Sequence, residues 1–347
     1  MLVRGCCSGD VLPSQPFAVS VADIPLVMYR NSAGSPVAME DRRVHHLAPL
    51  SLGRIEEAGI RCMYHGLLFA DDGTCREISG QDRIPAKARV RVFLVIERDG
   101  WIWVWPGDPQ LADEALLPRT VAAHHPEWLN AQNSLDYQAN FRLLVDNLLD
   151  FSHLPFVHGQ SFRADPKWAT VRPSVKRQPR GLRIERWITD APALASAREM
   201  AGQICDTWQG YDFLVPGVLV IETYYCKVGS AERASYGRPD SSDIVVRNGA
   251  TQAVTAMTPT TSRYFYATSV PPEGADQAMA DRILQVSAEA FVEDKMMIEA
   301  QQQRIIQSPS IEVMPSAGDN AIVMFHAYLR EFGTKRQQAS PSDTALT

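Results

Sequence analysis

The sequence predicts an α+β protein with a β-rich first third and a mixed remainder. Three observations carry that reading: short apolar runs parted by turn residues, one hairpin signature, and a long helical stretch near the end. FAVSV (17–21), IPLVMYR (24–30) and PVAME (36–40) are apolar runs of strand length, broken by Gly, Pro, Asn or Ser. VRVFLVIERDGWIWVW holds two strand-like runs around Asp99-Gly100, a strong hairpin signal. Pro106, Gly107 and Pro109 close that segment, and ADEALLP (112–118) reads as a connecting stretch. The expected domains are therefore 1–112 and 113–347. Beyond the boundary, FRLLVDNLLDFSHL (141–154) predicts a helix that ends at Pro155, because proline cannot continue the pattern. GLRIERWI, VLVIETYYCKV and SRYFYATSV predict strands, and a long helix is expected from about 276 to 306, before Pro309. KRQQASPSDTALT at the end is polar and reads as a frayed tail.

Composition bounds the function. A chain of 347 residues is long enough for about two domains and a sizeable core. Its net charge of −6 and pI near 5.8 argue against a nucleic-acid or anionic-membrane partner. No apolar run approaches the roughly 18 residues a membrane helix needs, and MLVRGCCSGDVLPSQ has no apolar core of a secretory signal. Six scattered cysteines form no disulfide framework, so the expected compartment is a reducing cytoplasm.

Two places break local rules in the way functional sites do. On the long helix, Val286, Ala290, Met297 and Ile298 fall within about 60° of Ile283 and make one apolar stripe. Asp294 lies about 20° from Ile283, inside that stripe. A carboxylate there must be hydrogen-bonded, paired or bound to a metal. A buried Asp that pairs with an Arg or caps a neighbouring element would satisfy the same pattern. The second place is DNLLDFSHLPFVHG, where Asn147, Asp150, His153 and His158 punctuate an apolar segment. Asp150 and His153 are three apart and therefore neighbours on a helix surface. His153 and His158 would not share a face of an ideal helix, but a bend at Pro155 lets both turn inward. Two histidines and a remote carboxylate match the facial triad of non-heme iron(II), which leaves coordination positions open.

With EDRRVHHLAPLSLGRIEEAGIRCMYHGLLF, LLVDNLLDFSHLPFVH and VEDKMMIEAQQ in this order, the chain resembles the oxygenase components of Rieske non-heme iron oxygenases. Within these it is similar to the vanillate O-demethylase and dicamba monooxygenase group, over about residues 17 to 306. The resemblance implies an all-β Rieske [2Fe-2S] domain, then a catalytic domain whose antiparallel sheet is wrapped by helices in the helix-grip, START-like manner. It implies that His45, Cys62 and His65 hold the cluster and that His153, His158 and Asp294 hold mononuclear iron(II). Asn147 and Asp150 are then catalytic candidates, with Asp150 placed between this iron and the cluster of a neighbouring subunit in a ring-shaped trimer. The implied reaction is O-demethylation or hydroxylation of a small aromatic or related cyclic compound by monooxygenation. It uses O2 and electrons from NADH, delivered by a reductase with flavin and a plant-type ferredoxin cluster.

Departures from the family pattern matter as much. A Rieske centre takes two thiolates on one iron and two imidazoles on the other. The 16-residue gap between His45 and Cys62 fits the motif C-x-H, 15 to 17 residues, C-x-x-H, but Arg43 stands where its first cysteine belongs. Arginine is always cationic and cannot ligate iron. His46 stands where the family usually has arginine, and Cys75 is the nearest other thiol. Thr255 replaces a histidine that touches a substrate carboxylate in some relatives, which weakens a benzoate-type ligand. Tyr264, Phe265 and Tyr266 read as strand packing rather than pocket wall. The alternatives are a clusterless, inactive iron-binding paralogue in assembly or regulation, a Rieske-type electron carrier, and a metallohydrolase. An electron carrier leaves the second iron motif unexplained, and a hydrolase leaves CMYHG unexplained.

Overall fold

The computed structural model describes residues 2–42, 47–310, 314, 316 and 318–339, the side chains of 332–339 excepted. It divides into two compact units: Met1–Pro118 with Asn133–Phe141 and Ala253–Phe265, and Arg119–Gln132 with Arg142–Gln252 and Tyr266–Thr347.

The first unit is built from strands β1 (Val3–Cys7), β2 (Phe17–Val21), β3 (Ile24–Arg30) and β4 (Pro36–Glu40), then the short β5 (Arg54–Glu56), β6 (Gly59–Arg61), β7 (Leu68–Phe69) and β8 (Cys75–Glu77), and finally β9 (Val92–Arg98) and β10 (Trp101–Trp105). Six of them form a sheet in the order β1-β10-β9-β4-β3-β2, and β5-β6-β7-β8 form a second. The expected hairpin is present: Arg98 pairs with Trp101, and Asp99 and Gly100 both take positive φ, 55° and 75°. Two positive φ values in succession are what a two-residue turn matching the strand twist requires. β3 buries both faces. Val27 and Tyr29 join a cluster with Ile60, Cys62 and Phe69, while Leu26 and Met28 join another with Val19 and Ile102.

The remaining strands are β11 (Leu129–Tyr137), β12 (Ser174–Gln178), β13 (Gly181–Pro192), β14 (Ile204–Leu214), β15 (Val218–Cys226), β16 (Ile244–Thr258) and β17 (Thr261–Val270). Their order in one sheet is β11-β17-β16-β15-β14-β13-β12, antiparallel from β12 to β15 with a register shift in β13 between Ile188 and Ala191. The long helix runs Gln277–Gln307 with Asp276 as its cap, the side chain accepting from the Met279 amide.

Three expectations need correction. The helix over 141–154 is not continuous: Phe141–Leu149 ends, and Asp150 caps a 3-10 turn, Phe151–His153. Its carboxylate accepts from the Ser152 amide at 2.9 Å, a local bond that competes with continued helix. Pro155 does not stop a helix; it sits in the first turn of the next, Leu154–Val157, where its missing N–H costs nothing. Met297 is exposed, and the buried face of the long helix is Ala280, Ile283, Ala290, Phe291, Asp294, Ile298 and Gln302. The polar end is helical at its start, since a helix Asn320–Ala339 reaches into it; 340–347 lie outside the described residues.

Candidate active site

His153, His158 and Asp294 meet. One ligand atom from each, taken together, lie within 4.8 Å of one another. His153 Nε2 stands 3.5 Å and His158 Nε2 3.2 Å from the same oxygen, Asp294 Oδ1. Each ring is fixed from behind. His153 Nδ1 is 2.7 Å from the Asp150 carbonyl, which can only accept, so Nδ1 carries the proton and Nε2 the lone pair. His158 Nδ1 is 2.8 Å from Glu293 Oε2, which also accepts from the Ser161 hydroxyl at 2.6 Å. Asn147 Nδ2 donates to Asp294 Oδ1 at 3.0 Å.

The two imidazoles sit in different electrostatic settings. Burial lowers His153 below the ordinary histidine value, only partly opposed by Asp294. Burial also pulls His158 down, but Asp294 and Glu293 together outweigh it and raise this ring. Asp294 is 5% exposed, and its polar neighbours are Asn147 and the two rings.

Sequence reasoning missed Glu293 and Ser161. The only signal was the adjacent acidic pair Glu293-Asp294 on a helix face that otherwise turns inward. Asp150 contributes to this centre through its backbone carbonyl rather than its carboxylate. That carboxylate is held by Ser152, and Asp150 lines a separate cavity of about 230 Å³ with Arg172, Arg186 and Gly318.

Above the triad lies a cavity of about 120 Å³. Ile221, Thr223 and Tyr225 point into it from alternate positions of β15, and Asn248 and Gln252 from β16. The long helix adds Ile283, Ser287 and Phe291, a spacing of four that keeps one face inward. Roughly 150 Å³ of apolar cavity takes up a benzene molecule, so the space is of the order of one ring. Thr255 is not among the lining residues; its hydroxyl donates to the Arg4 carbonyl at 2.7 Å. Tyr264, Phe265 and Tyr266 are likewise buried in packing, Tyr266 edge-on to Phe291.

Only half of the expected cluster site is described. Arg43, His45 and His46 lie outside the described residues. Cys62 is buried, and His65 is exposed and in contact with the Tyr64 ring. The loop between them is braced: Cys62 N donates to Leu67 O at 2.8 Å, Gly66 N to Cys62 O at 3.0 Å, and Arg61 Nη1 to Gly66 O at 2.7 Å. Cys75 packs in the same cluster as Cys62, but burial raises its thiol and its Sγ bonds the Glu77 carbonyl.

Residues 2–93 match the Rieske [2Fe-2S] domain, and 137–334 match the vanillate O-demethylase oxygenase C-terminal domain. The chain belongs to the vanillate O-demethylase group of Rieske non-heme iron oxygenases. This oxygenase is 37% identical to a putative toluene-4-sulfonate monooxygenase system iron-sulfur subunit of Comamonas testosteroni, over 88% of each chain. It is 34% identical to the vanillate O-demethylase oxygenase subunit of Pseudomonas sp. (strain ATCC 19151), over 82% of this chain and 86% of that one. The structure of dicamba monooxygenase bound to 3,6-dichlorosalicylic acid superposes with a TM-score of 0.87 at 25% identity, covering 98% of each chain. No helix of the described residues is long and apolar enough to cross a membrane.

The two iron sites of this family fare differently here. Two imidazoles whose Nδ1 atoms are engaged from behind and whose Nε2 atoms face one buried carboxylate suit a ferrous ion. The Rieske set has one thiolate, two imidazoles and a guanidinium, which does not fit a cluster that needs four protein ligands.

Proposed function

We propose that this chain is the oxygenase component of a multi-component monooxygenase, and that His153, His158 and Asp294 hold one iron(II) beneath a pocket for a small aromatic or related cyclic substrate. The observation that carries the reading is the convergence of two tautomer-fixed imidazoles on one buried carboxylate at the floor of a ring-sized cavity. Iron(II) held there supplies open coordination positions at which dioxygen is activated. The chain's own residues do the rest. Asn147 orients Asp294, Glu293 and the Asp150 carbonyl orient the two rings, and the apolar wall of Ile221, Ile283 and Phe291 keeps water from the floor.

A ferredoxin-type reductase drawing on NADH, a homotrimer and a cytoplasmic setting complete the proposal, as does the domain division at 112/113. Asp150 is proposed to connect the centre to a neighbouring subunit. Its carbonyl touches His153, and the residue also lines the second cavity. Asp150→Asn should keep the turn, since Asn caps as well as Asp. Product formation in a cluster-competent protein should then fall far more than iron content does. Equal activity in that variant would remove Asp150 from the role.

Arg43 favours a second reading, an iron-binding paralogue without a cluster, acting in assembly or regulation. Iron and acid-labile sulfide content tests both. Iron with sulfide supports the oxygenase and iron alone the clusterless paralogue, whereas zinc alone would make the site that of a hydrolase. Glu293→Ala supplies a finer check. Loss of the group that orients a ligating histidine costs about 10–100-fold in metal affinity, and a ferrous titration should show a drop of that order with the fold unchanged. An unaltered affinity would mean that Glu293 does not set the His158 ring.

A further inference from the structure

We propose that the cavity above His153, His158 and Asp294 selects an uncharged ring compound that donates a hydrogen bond, such as a carboxamide, a sulfonamide or a phenol, over the matching carboxylate or sulfonate. The inference rests on the reading of this cavity as the substrate site.

Three carboxamides line the cavity: Gln209, Asn248 and Gln252, which are 4%, 8% and 9% exposed. The carbonyl oxygen of each is buried and has no hydrogen-bond partner among the described residues. For Asn248 the orientation is fixed by its other end. Its Nδ2 lies 2.7 Å from the Ser196 carbonyl, which can only accept, so the nitrogen must be there and the oxygen must be the unmatched atom. Asn248 and Gln252 lie on β16, and Gln209 stands opposite Thr223 across the β14–β15 pair, so the three reach the cavity from one sheet. Buried acceptors are matched in folded proteins, and a ligand that brings a donor matches these.

Charge points the same way. No Lys or Arg lines this cavity among the described residues, and Asp294 is at its floor. A carboxylate or sulfonate entering would be stripped of water and given carbonyl oxygens in place of a cation. A neutral ring with an N–H or O–H meets neither cost.

The test is calorimetric titration of the purified full chain at neutral pH with two matched pairs, 4-toluenesulfonamide against 4-toluenesulfonate and benzamide against benzoate. The first pair also separates this chain from its relative named for toluene-4-sulfonate. At least one neutral member should bind about ten-fold or more tighter than its anion. Asn248→Leu should erase most of that preference. Gln252→Leu, which leaves the bond from Asn248 to the Ser196 carbonyl in place, should lower the preference as well. An anion that binds as well as its partner, two neutral compounds that do not bind, or a preference indifferent to Asn248→Leu would each overturn the proposal. Iron content measured on the same samples keeps the outcomes apart, because none of the three carboxamides belongs to the triad. Iron without the preference defeats this inference alone, and absent iron defeats the oxygenase reading.

Discussion

Replacing Asp294 with alanine is expected to empty the mononuclear iron site while leaving the protein folded. Both Nε2 atoms face this one carboxylate, so without it two imidazoles remain and no ligating anion offsets the metal's charge. The loss in affinity should exceed the roughly 10–100-fold that follows removal of a mere orienting partner. Folding should suffer less. The variant relieves the burial of a carboxylate that is 5% exposed, but leaves the Asn147 amide without its acceptor. An unmatched buried donor costs about 1–3 kcal/mol, against a typical stability of roughly 5–15 kcal/mol. Metal analysis after ferrous loading, beside a denaturation curve, reads both quantities. Unchanged iron occupancy in the folded variant would sink the assignment of Asp294.

The residue pattern carried some of this and not the rest, for physical reasons. The strands β2, β3 and β4 were legible because short apolar runs sat between turn residues, and the Asp99-Gly100 turn because few dipeptides accept two positive φ values. Asp294 stood out because a charge inside an apolar stripe is costly. β7 was invisible because two residues show no period, and β16 because IVVRNGATQAVTAMT mixes polar residues into a buried strand. Those same polar residues include two of the cavity carboxamides, so the feature that hid the strand is the one that shapes the cavity. The break at Asp150 escaped because a side-chain cap and a helical pattern compete over the same residues. Glu293 escaped because its partner, His158, is 135 positions away, and no local period reports such a contact.

Arg43→Cys is expected to produce a Rieske absorption and electron-paramagnetic signal where the unaltered chain gives little or none, and with it reductase-dependent turnover. Charge is the first reason. A guanidinium at the first cysteine position cannot ligate and is repelled by ferric iron, and one iron of a [2Fe-2S] centre would be left with a single thiolate, Cys62. Substitution by Cys75 is disfavoured, since burial raises its thiol and its Sγ bonds the Glu77 carbonyl. The described residues flanking both halves of the motif are well braced. The Cys62–Leu67 loop is braced by its own backbone and by Arg61, which Glu56 and Glu77 anchor in turn at 2.7 and 2.8 Å. On the other flank, the Asp41 carboxylate accepts from the Ser51 amide and hydroxyl at 2.7 and 2.6 Å, holding together the two ends of the segment that contains residue 43. A single thiolate is therefore the missing part, and because cluster binding is coupled to folding, the variant should also melt at a higher temperature after reconstitution. A full Rieske signal from the unaltered protein would show that another group ligates the iron in place of residue 43. A variant that takes up no cluster under anaerobic reconstitution would place the defect beyond this one residue, with His46 the next position to change.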